Sequence, residues 1–230
     1  MNTDLIGSST KMSVMITEHP ELVMLLQRMD IALGFGERSV RDVCARHGVD
    51  TDFFILLCNV YSDASYAPRE EDVLRISMDG LIPYLRRSHE YYVSKRLTHI
   101  QSHLGHIAEQ LPQRVAQVFM RFFDDYRREV TAHFSFEENV VFPHITSLQE
   151  GQLDTTYHID TFLQSHENLE DKLGDLLQIV FKYLPEQATG DDAVDVVYDI
   201  LQLSMDLNRH SLIEEKVMVP YVRHLERSLR

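Results

Sequence analysis

One string of residues occurs twice in this chain. His133 opens H-F-S-F-E-E-N-V-V-F-P, which closes at Pro143, and His210 opens H-S-L-I-E-E-K-V-M-V-P, which closes at Pro220. A lone histidine stands 44 residues ahead of each, His89 and His166. Both copies therefore read H-x(43)-H-x-x-x-E-E-x-V-x-x-P. Histidine and glutamate four residues apart share one face of a helix. The string thus demands two helices, each presenting an imidazole and a carboxylate side by side.

The segments around these strings read as helices throughout. From about residue 72 the chain forms four long helical segments, expected near 72–108, 113–147, 155–184 and 191–228. Their breaks are Q-L-P, S-L-Q-E-G and L-P-E-Q-A-T-G. No segment alternates β-branched residues, so no sheet is expected. Four long helices with short connections fold up-down-up-down. The expected class is all-α: a four-helix bundle over residues 69–230, preceded by a small helical module and linker over 12–68 and a flexible tail over 1–11. In the module, Thr17 with Pro20 suggests a helix start, Ser39 a cap for Val40 to His47, Gly48 a stop, and Asp50 or Thr51 a further start.

Residues equidistant from a turn lie at one height in such a bundle. His89 and His133 lie about 21 and 23 residues from the first turn, His133 and His166 about 16 each from the second, and His166 and His210 about 22 each from the third. At about 1.5 Å per residue the mismatch is a few ångströms. His89, His133, Glu137, His166, His210 and Glu214 therefore fall in one layer. Four imidazoles and two carboxylates suit two metal ions, with Glu137 and Glu214 each bridging both. Each ion then has two nitrogens and two oxygens. A bridging oxo or hydroxo group and one open position per ion complete the shell, which suits non-haem iron better than closed, tetrahedral structural zinc. A lone His–Glu pair of this spacing is usually a surface ion pair of a few tenths of a kcal/mol. Duplication with equal lead-ins argues against that explanation here.

Other residues carry less. Glu138 and Glu215 point about 100° away round an ideal helix, towards solvent or a cap. Glu129 and Asp206, four residues before His133 and His210, are either acceptors for a histidine N–H or solvated acids. His99, His103 and His106 lie 10 to 17 residues beyond His89, too far along one helix to share its metal. Tyr91 and Tyr92 suit the core, and Pro143 and Pro220 are expected to end or kink their helices. Glu-x-x-His, the ferritin-like pattern, is absent, because Val130, Leu163 and Leu207 stand three residues before the histidines. No H-E-x-x-H zinc-protease string occurs.

Composition narrows the setting. At 44% hydrophobic and 25% charged residues the chain can build an ordinary core. A formal charge of −14 argues against nucleic acid or an anionic membrane as partner. Cys44 and Cys58 form no C-x-x-C pair and read as buried thiols. With no long apolar run and a polar start, a cytoplasmic location is expected.

These residues resemble the hemerythrin-like domain of the HHE cation-binding type. Over about residues 12–225 the chain resembles the bacterial repair-of-iron-centres di-iron proteins. The family's ligand pattern falls on the same six residues. The N-terminal module is similar too, through I-T-E-H-P-E-L-V-M-L-L-Q-R-M and R-S-V-R-D-V-C-A-R-H-G. Where that family carries Phe-Cys-Cys-Gly-Gly, this chain has A-L-G-F-G, with Leu33 and Gly34 at the cysteine positions. That leaves the module a docking or homodimerisation role. The resemblance implies two non-haem iron ions (Fe2+/Fe3+), a diatomic ligand (O2 or NO), and a part in iron–sulfur cluster repair, with damaged iron–sulfur proteins as partners, or in nitrosative and oxidative stress. The alternatives are an O2 or NO sensor or carrier, or a nitric oxide-reducing enzyme.

Overall fold

The computed structural model describes residues 5–153, 156–165, 169–184 and 191–230. It is helical, with no strand among the described residues and a single isolated bridge between Lys11 and Ser39. The helices are α1 (Met12–Glu18), α2 (Val23–Arg28), α3 (Val40–His47), α4 (Thr51–Ser62), α5 (Glu70–Arg75), α6 (Leu81–Glu90), α7 (Leu97–Glu109), α8 (Gln113–Phe136), α9 (Phe142–Gln149), α10 (Ile159–Ser165), α11 (Leu169–Tyr183), α12 (Asp191–Ile213) and α13 (Val219–Ser228). No helix among the described residues is long and apolar enough to cross a membrane.

The chain divides into two compact units. One comprises Met1–Ser88, Ile145–Leu163 and Arg209–Arg230. Its local signals act as the sequence suggests. Ser39 caps α3 through a reciprocal bond with Asp42, Gly48 ends it in the left-handed region at φ 68°, and Asp50 caps α4 by accepting from the Phe53 N–H at 2.8 Å. Thr17 behaves differently: it lies inside α1, and its hydroxyl donates to the Ser13 carbonyl at 2.8 Å. Pro20 instead begins a 3₁₀ turn, Pro20–Leu22, leading into α2. The segment from Ile6 onward is tied down rather than frayed: Ile6 is buried and its N–H donates to Asn59 Oδ1 at 2.8 Å. The stretch between α4 and α5 is held by Lys216, whose ammonium donates to the Ala64 and Tyr66 carbonyls at 2.7 and 2.8 Å. α5 packs on α13, where Arg227 pairs with Glu70.

The first long segment, expected from residue 72, starts at Leu81. α5 is separate, and Ser77 and Asp79 bond to each other across the break. Gly80 follows, 2.8 Å from the Phe53 ring as measured from an added Cβ, so a larger residue there forces the ring to shift. This tertiary approach lies at the break, where helical periodicity could not reveal it.

The second unit comprises His89–His144 and Gln164–Asn208. Its core joins Leu97, Ile100, Leu104 and Ile107 of α7 to Phe119, Phe123, Tyr126, Val130 and Phe134 of α8. Leu173, Leu176 and Val180 of α11, with Val196, Ile200, Leu203 and Leu207 of α12, complete it. Each row repeats every three to four residues, the stripe that drives a helix to bury one face.

Among the described residues, three π-helical segments occur: Tyr91–Arg96, Glu137–Val141 and Glu214–Met218. Such insertions are rare and cluster at functional sites. Two occupy matching places in the repeated string and end two residues before Pro143 and Pro220. The prolines neither end nor break their helices, since α9 and α13 continue through them. A proline clashes with the carbonyl four residues back and donates no N–H; the wider π turn moves that carbonyl aside.

Candidate metal centre

Within the second unit, His89 sits near the end of α6, just ahead of the first π segment. Its ring is 2% exposed and stacks on Phe134, with centroids 4.1 Å apart and planes 12° from parallel. Phe142 lies 5.5 Å away on a similar plane. These aromatics hold the imidazole in one orientation.

His133 and Glu137 lie one turn apart at the end of α8, and Glu137 opens the second π segment. Glu137 has no exposed side-chain surface. Its Oε1 lies 2.9 Å from Nε2 of His133, and its Oε2 lies 2.9 Å from Nε2 of His89. One carboxylate thus addresses two imidazoles, one through each oxygen.

Nδ1 of His89 lies 3.0 Å from Oε1 of Glu138. Glu138 stays 42% exposed, as expected of a solvated residue, while one of its oxygens also reaches His89. It is the second residue of the π segment Glu137–Val141. An ionised carboxylate only accepts, so this bond assigns the proton of a neutral His89 to Nδ1. Its Nε2 then carries a lone pair and faces a carboxylate oxygen. Two acceptors at 2.9 Å require a proton or a metal ion between them. Two ligand atoms each about 2.1 Å from one octahedral ion, at right angles, lie about 3 Å apart. The donor chemistry and its spacing therefore fit a metal.

Within the first unit, His210 and Glu214 repeat the arrangement. Nε2 of His210 lies 2.9 Å from Oε1 of Glu214, the histidine is 2% exposed and the glutamate is fully buried. Glu214 opens the third π segment, the one Lys216 ties to Ala64 and Tyr66. A buried carboxylate is tolerated only when its charge is compensated. Glu215 is exposed, so the two copies differ at the second glutamate. His166 lies outside the described residues.

A family model, the hemerythrin HHE cation-binding domain, matches residues 80–222, more than half of the chain. The chain belongs to that family. Hemerythrin domains bind metal cations, typically iron, which agrees with the imidazole and carboxylate donors. No curated protein matches the chain.

The remaining residues of interest separate clearly. Tyr92 is buried in the hemerythrin core, and its hydroxyl donates to the Asp206 carbonyl at 3.2 Å. Asp206 itself is buried. Glu129 pairs with Lys172 at the surface. Cys44 and Cys58 are buried thiols as expected. Burial pushes Cys44 up to about 11, partly offset by a hydrogen bond with Thr51, and raises Cys58 well above its ordinary value. Leu33 is exposed on a loop whose Gly34 and Gly36 take φ of 97° and 59°. Glu138 is the site residue that sequence reasoning missed. Its signal was the second glutamate of the repeated E-E pair.

Proposed function

We propose that His89, His133, Glu137, His166, His210 and Glu214 hold two non-haem iron ions within an up-down-up-down four-helix bundle over residues 69–230. The observation that carries this is the Glu137 carboxylate, with each oxygen 2.9 Å from a different imidazole. A bridging glutamate needs that geometry. The second copy of the string supports the matching half, through the His210–Glu214 pair. Held by these residues, two irons with a bridging oxo or hydroxo group would supply binding chemistry for a small diatomic ligand, O2 or NO. The protein's own part is to orient the imidazoles and to keep bulk water away. His89 is held by aromatic stacking and by Glu138.

On this basis the protein is a cytoplasmic di-iron protein of the nitrosative and oxidative stress response that serves iron–sulfur cluster repair. A second reading, an O2 or NO sensor or carrier, draws on a specific observation. Both cysteines are buried with raised pKa, and the A-L-G-F-G loop carries none, so the N-terminal module offers no reactive thiol. That module then serves docking or homodimerisation.

Metal analysis of protein purified without added metal tests the centre. About two irons per chain are expected, with near-ultraviolet absorption from the bridge. Glu137→Ala combined with Glu214→Ala removes that spectrum; a double variant that keeps it rules the assignment out. Reversible O2 binding separates the carrier from the repair protein, and sustained NO consumption with an electron donor identifies a reductase.

A further inference from the structure

His99, His103 and His106 lie on one stripe of α7, at spacings of four and three residues. They face two aspartates of α12, Asp192 and Asp199, in the same unit. Nδ1 of His103 lies 2.7 Å from Oδ1 of Asp192, and Nδ1 of His106 lies 3.4 Å from the same oxygen. Nδ1 of His99 lies 2.7 Å from Oδ2 of Asp199, and the His99 and His103 rings meet edge to face at 4.6 Å. Two overlapping groups result, each with its ligand atoms within 4.8 Å: His103, His106 and Asp192, and His99, His103 and Asp199.

We propose that His103, His106 and Asp192 form a second metal site, separate from the buried centre, for a divalent cation of borderline softness such as Zn2+. Two imidazoles and one carboxylate suit zinc, nickel or copper and not calcium or magnesium, which take oxygen ligands. Two histidines on one helix face act as a chelate, and Asp192 closes the site from a second helix. Three protein ligands leave a fourth tetrahedral position to water.

The competing group is the poorer site. Asp199 also accepts from the Arg96 guanidinium at 3.0 Å, a fixed positive charge beside the ion's position. Asp192 carries no such cation among the described residues: its Oδ1 faces Nδ1 of His103 at 2.7 Å and Nδ1 of His106 at 3.4 Å. His106 is 58% exposed and Asp192 is 36% exposed, which opens the site to ions in solution. The ion takes the place of the proton that the His103 and Asp192 atoms now share. Zinc would then clamp α7 to α12.

The test uses the full chain with the metal content it has on isolation. Wild type and variants are dialysed against Zn2+ near neutral pH, and zinc and iron are counted in each. Wild type is expected to hold about one zinc more than His103→Ala, at equal iron. His106→Ala weakens that zinc by about tenfold or more, and His99→Ala retains it. Zinc should raise the melting temperature of wild type and not of His106→Ala. Equal zinc uptake by wild type, His103→Ala and His106→Ala overturns the site. Loss of the zinc in His99→Ala with retention in His106→Ala overturns the ligand assignment. If His103→Ala does not fold, the exposed His106→Ala decides the matter alone.

Discussion

Glu138 accepts from Nδ1 of His89 at 3.0 Å, across 49 residues of sequence, while the neighbouring Glu137 faces Nε2 of the same ring. Consecutive glutamates thus address opposite nitrogens of one imidazole. An ideal α-helix would aim them about 100° apart, and a π segment begins at Glu137.

Removing Glu138 therefore weakens metal retention without removing a ligand. Loss of such an outer partner typically costs about 10–100-fold in metal affinity. We expect Glu138→Ala to lose iron to a chelator faster than wild type by a factor in that range. Glu215→Ala, at the exposed equivalent position, behaves as wild type. Equal iron loss by the two variants would refute the role given to Glu138.

Gly80→Ala tests the break that separates α5 from α6. An added Cβ meets the Phe53 ring at 2.8 Å, and Phe53 is buried. Overpacking of this kind costs about 1–3 kcal/mol. A lowered melting temperature with unchanged iron content is expected. Undiminished stability would mean that Phe53 yields without cost.

The thiols give a measurement that needs no mutation. With Cys44 pushed up to about 11 and Cys58 raised well above its ordinary value by burial, almost no thiolate exists near pH 8. An alkylating reagent should leave the native protein unmodified over the time in which it labels both cysteines in denaturant. Rapid labelling of native protein would restore thiol chemistry to the N-terminal module.

Asp192 contributes a pH dependence whose direction is defined. Hydrogen bonds from His103 and His106 lower its pKa below the ordinary 3.8. A depressed carboxyl contributes stability above its unfolded value, and that contribution is lost as pH falls through the folded value. Wild type should therefore lose more stability than Asp192→Asn between about pH 4 and pH 2. Parallel losses in acid denaturation curves would show that the pairing adds nothing.

Much of the candidate centre was legible in the sequence because its information is local. His133 with Glu137, and His210 with Glu214, meet because a helix brings residues four apart together, and duplication marked them as more than ion pairs. The caps of α3 and α4 were legible for the same reason. The start of α6 was not, since Gly80 there lies against a ring 27 residues earlier in the chain.

By itself, then, the sequence determined the helical class, the paired His–Glu residues and the absence of thiol motifs, all from spacing within a few turns. Only the tertiary structure decided that Glu138 serves His89, that π turns carry the helices past Pro143 and Pro220, and that α7's three histidines meet α12's aspartates. The aspartates stand 86 to 100 residues from their histidines, and no local periodicity encodes an approach made by the packing of one helix on another.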